Sequence, residues 1–189
     1  MFGGIILKAL KKFSSSVKEL KSLTCIALCG LFLALRVAIG FLAIPIGDYN
    51  RIDFSYIPVA ISGYMFGPVL SGLIGGLSDV ITLLFKPTGM WNPVITLSKA
   101  ASGVIFGIFL YKSKADLKTV VMMCVINCAV GDLFLTTLGL CTIGGMPFDF
   151  IFPIRLLTYT LLLPLNVVII YFGVKSISKI SRLAGTART

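Results

Sequence analysis

The stretch that decides the fold is Phe54–Phe85, FSYIPVAISGYMFGPVLSGLIGGLSDVITLLF. It is an apolar run too long for one comfortable membrane crossing, which takes ~20 residues. Gly67-Pro68, near its middle, is a breaker pair that reads as a tight turn. The run therefore predicts two short helices back to back, accommodated by tilt or by local thinning of the bilayer.

Working outward, the preceding apolar segment spans roughly Leu23 to Ile44 and stops at Pro45, Gly47 and the polar run Asp48-Tyr49-Asn50-Arg51. On the other side, the loop Lys86–Asn92 leads to a span from about Pro93 to Tyr111, with Pro93 suited to a first helical turn. Two more spans follow, about Thr119 to Leu140 and about Phe150 to Val174, separated by a loop around Gly144-Gly145-Met146-Pro147. The predicted fold class is an all-α membrane protein, a bundle of six transmembrane helices. Residues 1–22 are expected to form a cytoplasmic N-terminal segment, 23–174 the six-helix transmembrane domain, and 175–189 a cytoplasmic basic tail.

Composition agrees with this class. Hydrophobic residues make up 57% of the 189, charged residues 13%, and the mean hydropathy is +1.02. Soluble domains carry about 45–50% apolar and about 25% charged residues. The net charge of +10 suggests nucleic acid at first sight. Its distribution does not: twelve of the seventeen basic residues lie in the N-terminal segment (Lys8, Lys11, Lys12, Lys18, Lys21), one loop (Lys112, Lys114, Lys118) and the C-terminal tail (Lys175, Lys179, Arg182, Arg188). Six crossings put all three places on one side, and the opposite side holds only Arg51 and Lys86. The positive-inside rule then makes both termini cytoplasmic, with attraction to anionic lipid headgroups as a consequence. No nucleic-acid partner is expected, because no exposed basic face is available for base reading.

Met1–Leu10 lacks a small-residue cleavage site after it, so a cleavable signal peptide is not expected; a surface amphipathic helix is the alternative. The five cysteines lie in apolar runs, and the chain has no histidine. Cys25/Cys29 and Cys124/Cys128 are at helical spacing, but in such surroundings Cys acts as a small hydrophobe, and no metal or cofactor is expected. Neither a phosphate-binding G-x-x-x-x-G-K-[ST] loop nor a G-x-S-x-G elbow occurs, so no enzyme chemistry is expected. If the chain moves a solute uphill, the energy comes from a partner or a co-transported ion.

Five ionisable residues lie inside spans: Arg36, Asp79, Lys99, Asp132 and Arg155. At helical rise Arg36 sits ~12 Å from the outer end of its span, and Asp79 and Lys99 sit ~9–10 Å from theirs. Asp132 and Arg155 also fall in the outer halves, so five charges converge on one layer. One reading is a set of buried salt bridges, Asp79 with Lys99 and Asp132 with Arg155 or Arg36, which lowers the cost of insertion. The other is an outward-opening pocket for a small, partly aromatic, anionic molecule, drawn by the excess positive charge. Tyr49, Tyr56, Trp91 and Tyr159 stand near the same face, either as interfacial belt residues or as stacking platforms. Arg51, Lys86, Asn92 and Thr96 complete the candidate site, and Asn127 adds a hydrogen-bonding group. Asn166 is placed too near the inner face to join it. Small residues at i, i+4 spacing (Gly30/Ala34/Ala38, Gly72/Gly76, Ser71/Gly75, Gly103/Gly107) permit close helix approach.

The segment Arg51–Tyr111 carries a resemblance. Its motifs are Ile52-Asp53-Phe54-Ser55-Tyr56-Ile57-Pro58, Phe66-Gly67-Pro68, Leu77-Ser78-Asp79, Pro87-Thr88-Gly89, Thr96-Leu97-Ser98 and Gly103-Val104-Ile105-Phe106-Gly107. They resemble the membrane-embedded substrate-binding (S) components of energy-coupling factor transporters, and most of all the folate-type members. The resemblance implies a bacterial plasma-membrane protein that binds a vitamin, folate first, with riboflavin or pantothenate as alternatives. A membrane coupling subunit and a pair of ATPase subunits would then drive uptake; a stand-alone secondary carrier is the contrasting reading. Gly30, Ala34 and Ala38 correspond to the family's Ala-xxx-Ala surface for the coupling subunit. Where folate-type members carry Gly-Phe-Thr-Leu-Ser, this chain has Val94-Ile95-Thr96-Leu97-Ser98 followed by Lys99.

Overall fold

Gly67 adopts φ +87°, a left-handed conformation that costs glycine little and strains any side chain. It ends helix α3 (Tyr56–Phe66), and Pro68 at the first position starts helix α4 (Pro68–Phe85). The structure, a computed structural model, describes residues 12–17, 23–46, 50–86, 91–113, 116–142, 145 and 147–186, with backbone alone for 44–46, 50–52 and 180–186. Met1–Leu10, with its amphipathic alternative, lies outside the described residues, as do Tyr49 and Pro87-Thr88-Gly89.

Residues 12–17 form a short helix, α1, whose Ser16 plugs the α3–α4 turn. Ser16 Oγ donates to the Phe66 carbonyl at 2.7 Å and accepts the Val69 N–H at 3.3 Å, two groups that the break in the helix leaves without helical partners. Lys12 Nζ donates to Ile108 O at 2.7 Å, at the C-terminal end of the helix Pro93–Leu110. Helix α2 (Leu23–Phe41) leads into a hairpin of two three-residue strands, β1 (Ile44–Ile46) and β2 (Asn50–Ile52), antiparallel with Pro45 opposite Arg51. The hairpin adds two short strands to the expected all-α fold class, in the stretch where the first apolar segment was expected to stop. Pro45 lacks an N–H and cannot continue the helix, while its β-branched neighbours Ile44 and Ile46 suit extended backbone. Asp53 then accepts the Ser55 N–H at 2.8 Å and starts α3.

Helix α5 (Pro93–Leu110) packs on α4 backbone to backbone. A Cβ on Gly103 would sit 2.1 Å from Ser71 O, one on Gly107 2.3 Å from Pro68 Cα, and one on Gly75 2.3 Å from Lys99 O. Ser71 Oγ also donates across the contact to Gly103 O at 2.7 Å. Apolar surface gains nothing by leaving lipid for another apolar surface, so such close approach, with its dispersion and hydrogen bonds, is what holds membrane helices together. Gly30 stands apart: its Cβ would meet nothing within 4 Å.

The fifth apolar segment is Leu117–Thr142, continuous in the chain but not uniform. Helix α6 (Leu117–Asn127) widens into a π-helical segment, Cys128–Leu135, before α7 (Thr136–Thr142) resumes the α-helical pitch. The π turn corrects the expectation of one regular helix. Widening the turn presents the Gly131 carbonyl sideways, where the Ser98 and Thr136 hydroxyls reach it at 2.7 and 2.9 Å. The last helix, α8 (Phe148–Thr186), runs 39 residues, well past the Val174 limit expected, so the basic tail continues the helix as far as Thr186.

Among the described residues, five segments are long and apolar enough to cross a membrane; α3, at 11 residues, is the shorter apolar sixth. The core lies where α3, α5, α6 and α8 meet, around Val59, Phe106, Leu110, Met123 and Ile170. Replacing Gly103 or Gly107 with Leu is expected to destabilise the protein by at least the about 1–3 kcal/mol of ordinary overpacking. Gly30→Ala is expected to leave the melting temperature in detergent unchanged, and thermal melts of the three variants check the contrast.

Candidate functional site

The centre of the bundle holds charge. Arg36, Lys99, Asp132 and Arg155 are all at most 8% exposed, and they come from α2, α5, the π segment and α8. Asp132 is the hub. Tyr56 Oη donates to its Oδ1 at 2.8 Å, Asn127 Nδ2 donates to its Oδ2 at 3.2 Å, and Lys99 Nζ lies 3.9 Å from Oδ1. Lys99 also donates to Tyr56 Oη at 3.3 Å, its ammonium 5.3 Å from the ring centroid. Arg155 reaches the main chain instead of the carboxylate, donating to Asp132 O at 3.3 Å and to Tyr159 Oη at 3.0 Å. Its guanidinium carbon stands 5.2 Å over the Tyr159 ring. Arg36 Nη1 donates to Ser55 O at 3.4 Å, beside Tyr56.

The expected pairing changes accordingly. Lys99 pairs with Asp132, not Asp79, because α5 presents Lys99 toward α3 and the π segment, away from α4. Asp79 is half-buried and accepts Thr96 Oγ1 at 2.7 Å, and Thr96 in turn accepts Trp91 Nε1 at 3.1 Å. These three form a separate chain at the start of α5, so the layer of five charges is a cluster of four with Asp79 apart. The four hold three cations and one carboxylate.

Next to the cluster lies a narrow cavity of about 20 Å3, room for about one water molecule. Tyr56, Phe106, Cys124, Asn127, Cys128, Asp132, Tyr159, Leu163, Asn166 and Ile170 line it. Tyr56 and Phe106 meet edge to face there, centroids 6.2 Å apart. Of the twelve candidate substrate-binding residues, Asp132 and Tyr159 line the cavity, and Lys99 and Arg155 touch those two. Arg36 joins through Ser55. Asn92 is buried, caps α5 by accepting the Val94 N–H at 3.0 Å and ties α5 to α7 by donating to Gly139 O at 2.8 Å. Trp91 and Lys86 are exposed, Arg51 lies in β2 with its side chain outside the described atoms, and Tyr49 lies outside the described residues. Gly30, Ala34 and Ala38 are all exposed on α2.

Sequence reasoning left Phe106, Leu163 and Ile170 out because nothing sets them apart from other apolar residues. Asn166 was excluded by its depth, yet the cavity reaches it. Cys124 and Cys128, read as packing residues, stand on its wall. Neither Val94 nor Ile95, the departure from the folate-type pattern, lines the cavity; both approach Gly139 of α7 instead.

A profile described as ECF transporter, substrate-specific component, matches residues 22–180. The chain belongs to this family. Folate transporter FolT of Clostridium novyi (strain NT) is 33% identical over 138 residues, covering 73% of this S component and 80% of its own length. An uncharacterised protein of Mycoplasma genitalium is 30% identical over 104 residues, covering 53% of this chain and 36% of its own. The crystal structure of FolT bound with folic acid superposes with a TM-score of 0.76 at 26% identity, covering 82% of this chain and 95% of that one.

Breaking a buried ion pair by removing one partner costs about 3–5 kcal/mol, because the other charge stays behind. In this S component Lys99→Met alone is expected to lower the melting temperature more than Lys99→Met with Asp132→Asn. A double-mutant cycle of thermal melts measures the coupling, and additive losses would contradict the pairing.

Proposed function

We propose that this S component binds folate within the membrane and delivers it to an ATP-driven importer. It crosses the bacterial plasma membrane six times, α3 included, with both termini in the cytoplasm. It catalyses no reaction. The observation that carries the reading is the buried cluster of three cations and one carboxylate beside an aromatic-walled cavity, in a chain similar to FolT along most of its length. An excess of buried positive charge favours an anionic ligand. Tyr56, Phe106 and Tyr159 give a flat ring system faces to lie on.

The remaining assignments follow from the charge pattern and the family. Twelve of the seventeen basic residues fall on the side of the termini, which supports the cytoplasmic placement. A membrane coupling subunit and two ATPase subunits supply the energy for which the chain has no phosphate-binding loop. The exposed Gly30, Ala34 and Ala38 stripe is the proposed face for the coupling subunit, since small residues let a partner helix approach closely. Arg36, Lys99 and Arg155 are the proposed anchors for the ligand's carboxylates.

Mass spectrometry of ligand retained on the purified protein is expected to find a folate; riboflavin, pantothenate or another vitamin would replace the substrate. Single substitutions Arg36→Ala, Lys99→Ala and Arg155→Ala are expected to weaken folic acid binding by about tenfold or more for at least one position. Unchanged affinity in all three, measured by titration calorimetry, would remove the anionic-ligand reading.

A further inference from the structure

The end of the bundle at which α1 sits is edged with lysines from separate helices. Helix α5 stops at Leu110 and is followed by Tyr111 and Lys112, α6 opens with Leu117 and Lys118, and α8 carries Lys175 and Lys179 about one turn apart. The core brings these ends to one level, since Leu110, Val120 and Val174, each fully buried, belong to one cluster. Helix α1 adds Lys12 to the same edge. A Cβ on Gly67 would lie 3.0 Å from Ser16 and 3.2 Å from the Tyr111 ring, so α1 and the end of α5 meet at the α3–α4 turn. Residues 12–17 lie outside the stretch that matches the family profile.

Lys112, Lys118, Lys175 and Lys179 are exposed, and none of them forms an ion pair among the described residues. Asp116, exposed at the start of α6, is the one carboxylate that the described residues place at this edge. Two of the cations are held against tyrosines. Lys112 Nζ lies 5.0 Å from the centre of the Tyr111 ring. Lys175 Nζ lies 5.1 Å from that of Tyr171 and donates to its Oη at 3.2 Å. Inward of the lysines the same helix faces turn apolar. Met122 and Val125 follow Lys118 at i+4 and i+7, and Phe172 and Val168 precede Lys175 at i−3 and i−7. These four are 46–62% exposed. Charge above an outward-facing apolar strip matches a phospholipid, with its headgroup phosphate and its acyl chains. A soluble phosphate has no use for the apolar part.

We propose that this edge is a binding surface for an anionic phospholipid. Lys112, Lys118 and Lys175 hold the headgroup phosphate, and the apolar strips of α6 and α8 take the chains. Attraction alone draws any basic segment to a negatively charged membrane. Lysines fixed over tyrosine rings beside apolar strips go further and retain an individual lipid. The surface is separate from the Asp132 cavity, which none of these lysines lines.

The test is titration of a fluorescently labelled phosphatidylglycerol, and separately of phosphatidylcholine with the same label, into the full-length protein in a neutral detergent. Phosphatidylglycerol is expected to bind about tenfold more tightly or better. Each lysine near a lipid surface is worth about fivefold, so Lys118→Gln with Lys175→Gln is expected to weaken phosphatidylglycerol by about thirtyfold. Phosphatidylcholine is expected to change by less than about twofold, because it brings no net charge. Lys118→Arg with Lys175→Arg keeps the charge and is expected to bind as the wild type does. Melting temperatures without lipid are expected to agree among the three proteins, since both side chains are exposed. Wild-type protein that binds the two lipids equally would overturn the inference, as would a Gln pair that keeps the wild-type preference. A Gln pair with a lowered melting temperature would also overturn it, because the lysines would then be holding the fold. Displacement of the labelled lipid by millimolar glycerol 3-phosphate, which has the phosphate and no chains, would replace the lipid with a soluble phosphate and overturn it too.

Discussion

Asp132 is held in a layer where little water can solvate it, and the surrounding helices are arranged to make that tolerable. Tyr56 from α3 and Asn127 from α6 donate to its carboxylate, Lys99 from α5 pairs with it at 3.9 Å, and Arg155 from α8 donates to its backbone carbonyl. Each of these groups would be costly alone in a bilayer. Together they form a network that is satisfied at Asp132 and open at its margins, where Asn127 Oδ1 and Arg155 Nε have no hydrogen-bond partner among the described residues. The π turn is the backbone device behind this. It carries Asp132 and offers two carbonyls, those of Gly131 and Asp132, to side chains of other helices.

The rest of the bundle can be seen as support for that layer. Glycines fix α4 against α5 at backbone contact, which sets the height at which Lys99 is presented. Ser16 and Lys12 close the other end, where the α3–α4 turn and the end of α5 leave main-chain groups that need partners. Asn92 fixes the start of α5 to α7. The site is thus built on helices whose relative positions are determined at both ends. The face of α2 that carries Gly30, Ala34 and Ala38 takes no part in this packing.

Much of the architecture was legible in the sequence because hydrophobic length and helix breakers act locally. The Gly67-Pro68 break, the start of α5 at Pro93 and the apolar segments required no knowledge of neighbours. The rare ionisable residues also marked the site, since a charge within a span needs a reason. Their partners were not legible. Depth along each helix could be counted, but the direction each residue faces could not, and Asp79 therefore appeared to belong with Lys99. The π turn left no mark because hydropathy does not record the pitch of a helix. Phe106, Leu163 and Ile170 were invisible for a similar reason: an apolar residue lining a cavity has the same composition as one facing lipid. The short hairpin escaped because three-residue strands are too brief for an alternating pattern to show.

The central claim is that the space beside Asp132 is where an anionic, aromatic vitamin lies. A crystal structure of the protein with folic acid tests it most directly. The account predicts density against Tyr56, Phe106 and Tyr159, with the ligand's carboxylates toward Arg36, Lys99 or Arg155. Folic acid bound elsewhere, with the Asp132 network and its cavity unoccupied, would contradict it.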